Sequence, residues 1–252
     1  MRKLDFRSRY AGHVDAVKKS LPVAQAMQQA IGGQFEAFGI LERELLIHYG
    51  LHKDGYVIDV GCGSGRLAQP LSQYLSGRYL GIDIVPELCE YARQLVGRPD
   101  WRFEVAEGLR ISEEDDTADM VCFFSVFTHL LHEQSYRYLQ EAKRVLKPGG
   151  KIIFSFLEFA IPSHWAVFET MVPNWDESSP LNMFMSRDGI TAWARHLGLG
   201  IEALHDGDTP HIPLPHPLIL EDGSLIEEKG TLGQSVCVLV KPSPSGLLHN
   251  AP

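Results

Sequence analysis

The chain has 252 residues, 44% hydrophobic and 22% charged, the balance of a water-soluble globular protein long enough for one large domain or one domain with appendages. A formal net charge of −9 argues against the basic face that nucleic-acid binding requires, and the locally basic arm "MRKLDFRSRY" reads as a solvated tail. Apolar runs such as "MVCFFSVF" are too short to span a bilayer and no apolar stretch follows the basic start. With Cys62, Cys89, Cys122 and Cys237 far apart and in no C-x-x-C pair, a reduced, cytoplasmic protein is expected.

Along the chain, "QFEAFGILERELLIHYGL" sets Phe35, Phe38, Leu41, Leu45 and Leu46 on one helical stripe that ends near Gly50. Strands and helices then alternate: a strand at Tyr56–Val60, a helix over about Gly65–Leu75, a strand at Tyr79–Asp83, and a helix over Glu87–Val96 opened by Pro86. "WRFEV", "DMVCFF" and "GKIIFSFLE" are further strands, with the helix "EQSYRYLQEAKRVL" before the last, closed by Lys147-Pro148-Gly149-Gly150. A late helix, "RDGITAWARHLGL", and closing strands ending in "SVCVLVK" complete the order. This alternation predicts an α/β, Rossmann-like fold: a mostly parallel seven-stranded sheet with helices on both faces and an N-terminal helical cover. Ligands in such a fold collect at the carboxyl ends of the strands.

Two long pieces interrupt the pattern. Phe159 to Arg187 is rich in aromatics (Phe159, Trp165, Phe168, Trp175, Phe184), and His205 to Gln234 is rich in proline, with "LEDGSL" suited to a hairpin turn. The chain therefore divides into a cover (1–50), a core (51–158) and substrate-covering insertions with the closing part of the same domain (159–252).

"YVIDVGCGSGRLAQPL" carries Asp59, then Gly61, Gly63 and Gly65 at alternate positions. The dinucleotide fingerprint is G-x-G-x-x-G, and a carboxylate two residues before the first glycine would repel a pyrophosphate while accepting a hydrogen bond from an ammonium group. Asp83 ends the next strand about twenty residues on, where an acid accepts both ribose hydroxyls, and Ile84 offers an apolar face to an adenine.

The glycine stretch resembles the first motif of class I S-adenosylmethionine-dependent methyltransferases. "IGGQFEAFGILERELLIHYGL", "FEVAEGLRISEEDDTADMV" and "DMVCFFSVFTHLLHEQSYRYLQEAKRVLKPGGKIIFSF" extend the resemblance from Ile31 to Phe156 in consecutive order, with Glu107 standing where the family more often has Asp. It implies S-adenosyl-L-methionine as cofactor, held by Asp59, Gly61, Cys62, Gly63, Gly65, Arg66, Asp83, Ile84, Glu107, Gly108 and Ser125. It also implies transfer to a small-molecule acceptor, most simply at oxygen.

For an oxygen acceptor a base must remove a proton, and His129, opening the turn after the fourth strand, is the first candidate. His164 is the reserve, and His211 and His216 are weaker. The asparagine/aspartate-proline-proline signature of DNA-base amino-methyltransferases is replaced by Ser125-Val126-Phe127-Thr128. The clustered acids of a metal-dependent catechol type are not found, and His129 and His132, three apart on an amphipathic turn, fit the pattern of one solvated and one packed residue, so no metal is expected.

Two other readings stand beside this one. An NAD(P) oxidoreductase needs Tyr-x-x-x-Lys after the fourth or fifth strand, whereas Tyr49 and Lys53 precede the first. A methyltransferase-like binding protein without turnover keeps the glycines and Asp83. Membrane and nucleic acid are not expected as partners, and oligomeric state stays open.

Overall fold

A computed structural model describes residues 6–175 and 181–243. Three helices come first: α1 (Phe6–Lys18), α2 (Val23–Gln29) and α3 (Phe35–His48). The core follows as β1 (Tyr56–Val60), α4 (Ala68–Ser72), β2 (Arg78–Asp83), α5 (Pro86–Val96), β3 (Arg102–Val105), β4 (Ala118–Phe123), a 3-10 turn (Phe127–His129), α6 (His132–Val145) and β5 (Leu146–Phe156). Then come α7 (Pro162–Met171), α8 (Arg187–Leu197), β6 (Gly200–His205), two short hairpin pairs, β7 (Ile212–Pro213), β8 (Leu218–Ile219), β9 (Leu225–Ile226) and β10 (Lys229–Gly230), and finally β11 (Ser235–Val240).

The main sheet has seven strands in the order β3-β2-β1-β4-β5-β11-β6. It is parallel except for β11, which runs antiparallel to both β5 and β6. The expected mostly parallel seven-stranded sheet is therefore present.

Strand side chains alternate between two apolar layers, as a period of two requires. Tyr56, Ile58, Val60, Val121, Phe123, Ile152 and Phe154 pack on one face with Leu139 and Ala142 of α6 and Ile190 and Ala194 of α8. Val57, Met120, Cys122, Ile153, Val236 and Val238 pack on the other with Leu41 and Leu45 of α3, Leu71 of α4 and Ala92 of α5. Each such fully buried aliphatic chain contributes about 1.5–3 kcal/mol of transfer free energy. Asp59 falls on the α3 and α4 face of β1, which buries its carboxylate between strand and helices. All four cysteines are buried and free.

Three local expectations change. The basic arm is not wholly a tail, because Phe6 to Lys18 form a helix with Val14 buried; residues 1–5 lie outside the described residues. The helix expected from about Gly65 begins only at Ala68, because Gly61, Gly63 and Gly65 all take positive φ and hold the preceding turn out of helical geometry. Lys147 to Gly150 belong to β5, where a bulge lets the strand pair with β4 at Leu146 and again from Lys151.

Gly65 sits at φ +93°, and a Cβ there would lie 3.1 Å from the Cβ of Ala92 on α5. Gly65→Ala is expected to cost about 1–2 kcal/mol of stability from the left-handed backbone alone, read as a lowered denaturant midpoint with unchanged slope.

Candidate active site

A cavity of about 780 Å³ opens at the carboxyl ends of β1, β2 and β4. Its walls include Asp59, Gly61, Cys62, Gly63, Arg66, Asp83, Ile84, Ser125 and His129, so most of the expected site residues meet there. The N-terminal cover closes one side with Gln29, Ala30, Ile31 and Gly32.

The glycine turn is stapled to β2. The N–H groups of Gly61 and Cys62 both donate to the carbonyl of Ile82, at 2.7 and 3.1 Å. Asp83 completes the join, accepting from Gly63 N–H through Oδ2 and from Val85 N–H through Oδ1, each at 2.9 Å. Burial raises its pKa, against the pull of those backbone donors. What approaches the glycines within the protein is the protein itself. A Cβ on Gly61 would fall 2.3 Å from Cγ2 of Val126, and one on Gly63 would fall 2.9 Å from Cγ2 of Ile31.

Asp59 accepts from the Tyr79 hydroxyl at 2.7 Å. Burial pushes its pKa up to about 7, the Tyr79 bond opposes this, and the charge of Glu42 adds to it. Glu42 itself is buried and raised, and its partner Arg66 Nη2 lies 2.5 Å away. Arg66 also donates to the carbonyl of Ile31, tying the cover to the loop. Among the described residues its Nε is buried without a hydrogen-bond partner.

At the other end, Ser125 follows β4 with φ +58°. Its N–H donates to Ser155 Oγ, which donates to Gln234 Oε1, both at 2.8 Å. Thr128 Oγ1 donates to the Ser125 carbonyl, closing the turn that delivers His129. Nδ1 of His129 lies 2.9 Å from the carbonyl oxygen of Leu181. A carbonyl only accepts, so Nδ1 carries the proton and Nε2 is the basic nitrogen. Burial lowers the His129 pKa, with the Leu181 bond opposing it, which favours the neutral ring.

Other expected residues lie elsewhere. Gly65 packs on α5 behind the turn. Neither Glu107 nor Gly108 lines the cavity; Glu107 is exposed and borders a separate open groove of about 580 Å³ with Arg110, Glu113 and Arg144. His164 is buried with both ring nitrogens engaged: Nδ1 accepts from Glu158 N–H and Nε2 donates to the Gly233 carbonyl, each at 3.1 Å. It pins the end of β5 to the proline-rich insertion. His211 stacks on His205 at 4.1 Å, and neither it nor His216 reaches the cavity wall. Of the aromatic insertion, only Leu181 lines the cavity among the described residues. No group of three or more potential metal ligands occurs among the described residues.

Residues 58–154 match the family of methyltransferase domains. This stretch is a class I methyltransferase domain. The domain is 31% identical over 105 residues to a ubiquinone biosynthesis O-methyltransferase of Xanthomonas oryzae, covering 40% of this chain and 42% of that protein. It is 34% identical over 116 residues to a demethylmenaquinone methyltransferase of Deinococcus radiodurans, covering 44% and 46%. The chain thus spans less than half the length of these two curated relatives. Across nearly the whole chain the methyltransferase fold resembles that of magnesium protoporphyrin IX methyltransferase from Synechocystis, with TM-score 0.62, 15% identity and coverage of 94% and 96%.

The cavity is also lined by residues that the sequence alone does not single out: Glu42, the cover residues around Ile31, Tyr138 and Leu181. Glu42 had a signal, since it occupies a position between Phe38 and Leu46 on the apolar stripe of α3, where a solvated carboxylate does not belong. Leu181 had none, because its role rests on a contact 52 residues away in sequence.

Proposed function

We propose that this chain methylates an oxygen of a small-molecule acceptor, with His129 as the base that takes the acceptor's proton. The observation that carries the reading is His129 at the wall of the cavity, with its Nδ1–H given to the Leu181 carbonyl. The O-methyltransferase name of the Xanthomonas relative supports the oxygen assignment.

The cavity's donor and acceptor set fits the cofactor. Asp59 suits the ammonium group, the unpartnered Arg66 Nε suits the carboxylate, and Asp83 has lone pairs left for the ribose hydroxyls. Ile84, Leu88 and Ala106 offer apolar contact for the adenine. When bound, the sulfonium supplies an activated methyl group for in-line displacement. The chain's own part is to align the acceptor, exclude water and hold the proton at His129 Nε2. We read residues 1–50 as the cofactor cover, 51–158 as the cofactor-binding core and 159–252 as the part that shapes the acceptor side. No helix among the described residues is long and apolar enough to cross a membrane. The acidic composition and four free cysteines support a cytoplasmic site of action without nucleic acid.

Asp59 gives this reading a pH signature. Its pKa of about 7 in the cofactor-free protein means that an ammonium neighbour, which favours the ionised form, must displace a proton near neutrality. Affinity for S-adenosylhomocysteine is expected to rise between about pH 6 and 8 and then level off, with proton release visible as a buffer-dependent calorimetric enthalpy; Asp59→Asn should flatten the profile. For stability the sign is opposite: a raised folded-state pKa favours folding below the unfolded value of 3.8, and that contribution is lost as pH rises through about 7. Tight binding of NADH with no response to S-adenosylhomocysteine would sink the functional reading.

A further inference from the structure

Glu42 is a buried carboxylate to which the proposed reaction gives no role. It stands on α3, 2% exposed, between Phe38 and Leu46 on the apolar stripe, and shares the cavity wall with Asp59 and Arg66. A carboxylate kept in an apolar layer costs stability unless its partners offset the lost hydration.

Arg66 offsets part of that cost. Its Nη2 donates to Glu42 Oε1 at 2.5 Å, while Nη1 donates to the Ile31 carbonyl at 3.2 Å. Asp59, 3% exposed, takes its hydrogen bonds from neutral groups, the Tyr79 hydroxyl at 2.7 Å and the Cys122 thiol at 3.6 Å. Two carboxylates therefore share one guanidinium at this end of the cavity, an excess of one negative charge when all three groups are ionised. Burial raises the pKa of both acids, and the Glu42 charge adds to the rise at Asp59. The third acid of the wall, Asp83 on β2, already accepts from the Gly63 and Val85 N–H groups. A structural ion pair would need only one acid for Arg66; the second suits a cation that arrives with a ligand.

We propose that Glu42 is a cofactor-binding residue: together with Asp59 it holds the ammonium group of S-adenosylmethionine, so that the N-terminal cover and β1 grip the same end of the cofactor. The inference rests on the cofactor reading of the cavity and deepens it. An ammonium group brings three donors and one positive charge, which the two carboxylates can share and which cancels their excess. Arg66 keeps its bond to Glu42 and offers the cofactor's carboxylate its Nε, which is buried without a hydrogen-bond partner among the described residues. Both charges of the amino-acid end are then met by opposite charge. A nucleoside without that end gains nothing from Glu42, so the residue sets selectivity for the complete cofactor.

The test compares two ligands on the full-length protein and needs no acceptor. S-adenosylhomocysteine carries the ammonium group, whereas 5′-deoxy-5′-methylthioadenosine has the same adenosine and sulfur but no amino-acid end. Glu42→Gln keeps the side chain's length and can still accept from Arg66. By calorimetry it is expected to weaken S-adenosylhomocysteine about ten- to a hundred-fold, the range of one charge-assisted hydrogen bond, and to change methylthioadenosine by less than about two-fold. Should thermal melting show that Glu42→Gln does not fold, Glu42→Asp, which withdraws the charge by one methylene, carries the same expectation. Equal weakening of both ligands overturns the proposal and leaves Glu42 as a support of the cover; unchanged affinity for both overturns it as well. A parent protein that binds neither ligand instead sinks the cofactor reading, and this proposal with it.

Discussion

Replacing His129 by glutamine is expected to lower kcat by about 10²- to 10⁴-fold, the range a positioned general base contributes. The loss should appear as slower formation of S-adenosylhomocysteine across a panel of phenolic acceptors, with the dissociation constant of the cofactor product changed by less than about three-fold. The separation follows from geometry. His129 comes from the turn after β4 and bonds to Leu181, whereas Asp59, Arg66 and Asp83, the residues proposed to match the cofactor's charged and hydroxyl groups, line the cavity from β1, the glycine turn and β2. The pH dependence gives a second check. Burial sets the His129 pKa below 6.5, so the parent should hold full activity through neutrality and lose it as pH falls through that lowered value. His129→Gln should lack this acid limb. A variant with parental kcat would leave His129 as a wall residue and move the proton elsewhere.

What was readable in the sequence, and what was not, divides by the range of the interaction. Strand faces follow a period of two, so neighbours such as Val57 and Ile58, or Ile153 and Phe154, fall in opposite core layers. Asp83 was legible for a related reason: the distance from a glycine turn to the end of the next strand is fixed by one crossover helix. His129 was placed because a strand end and a turn adjoin in the chain. His164 carried the same residue type in an equally suggestive aromatic setting, yet its ring is spent on Glu158 and Gly233, the latter 69 residues distant. The aromatic segment misled in a similar way, since composition registers apolar surface without saying whether the rings face a ligand or one another. Glu42 lies between these cases. Its intrusion on the apolar stripe of α3 was local and visible, but its partner Arg66 came only with the tertiary fold.

Replacing Asp83 by alanine is expected to weaken S-adenosylhomocysteine binding by about 10²-fold or more while changing stability far less. Two charge-assisted hydrogen bonds to the ribose would be lost, each worth roughly 1.5–3 kcal/mol, against about 1.4 kcal/mol per factor of ten. The carboxylate also holds the glycine turn through Gly63 N–H and Val85 N–H, so the loop that shapes the methionine end loosens with it. Stability responds to two opposing effects. Burial has raised the Asp83 pKa, which means the ionised group is held at a cost that alanine relieves. Against that, two backbone donors are left without their acceptor, at about 1–3 kcal/mol each if water does not reach them. Calorimetry and thermal melts on the same preparation read the two effects apart. Asp83→Asn sharpens the comparison, because its one carbonyl oxygen can replace either amide contact while its NH₂ group faces the other donor. The asparagine variant should therefore keep part of the loop's order and still lose most of the ribose affinity. An affinity within about five-fold of the parent in both variants would place the ribose away from β2, since two charged hydrogen bonds are worth far more than that.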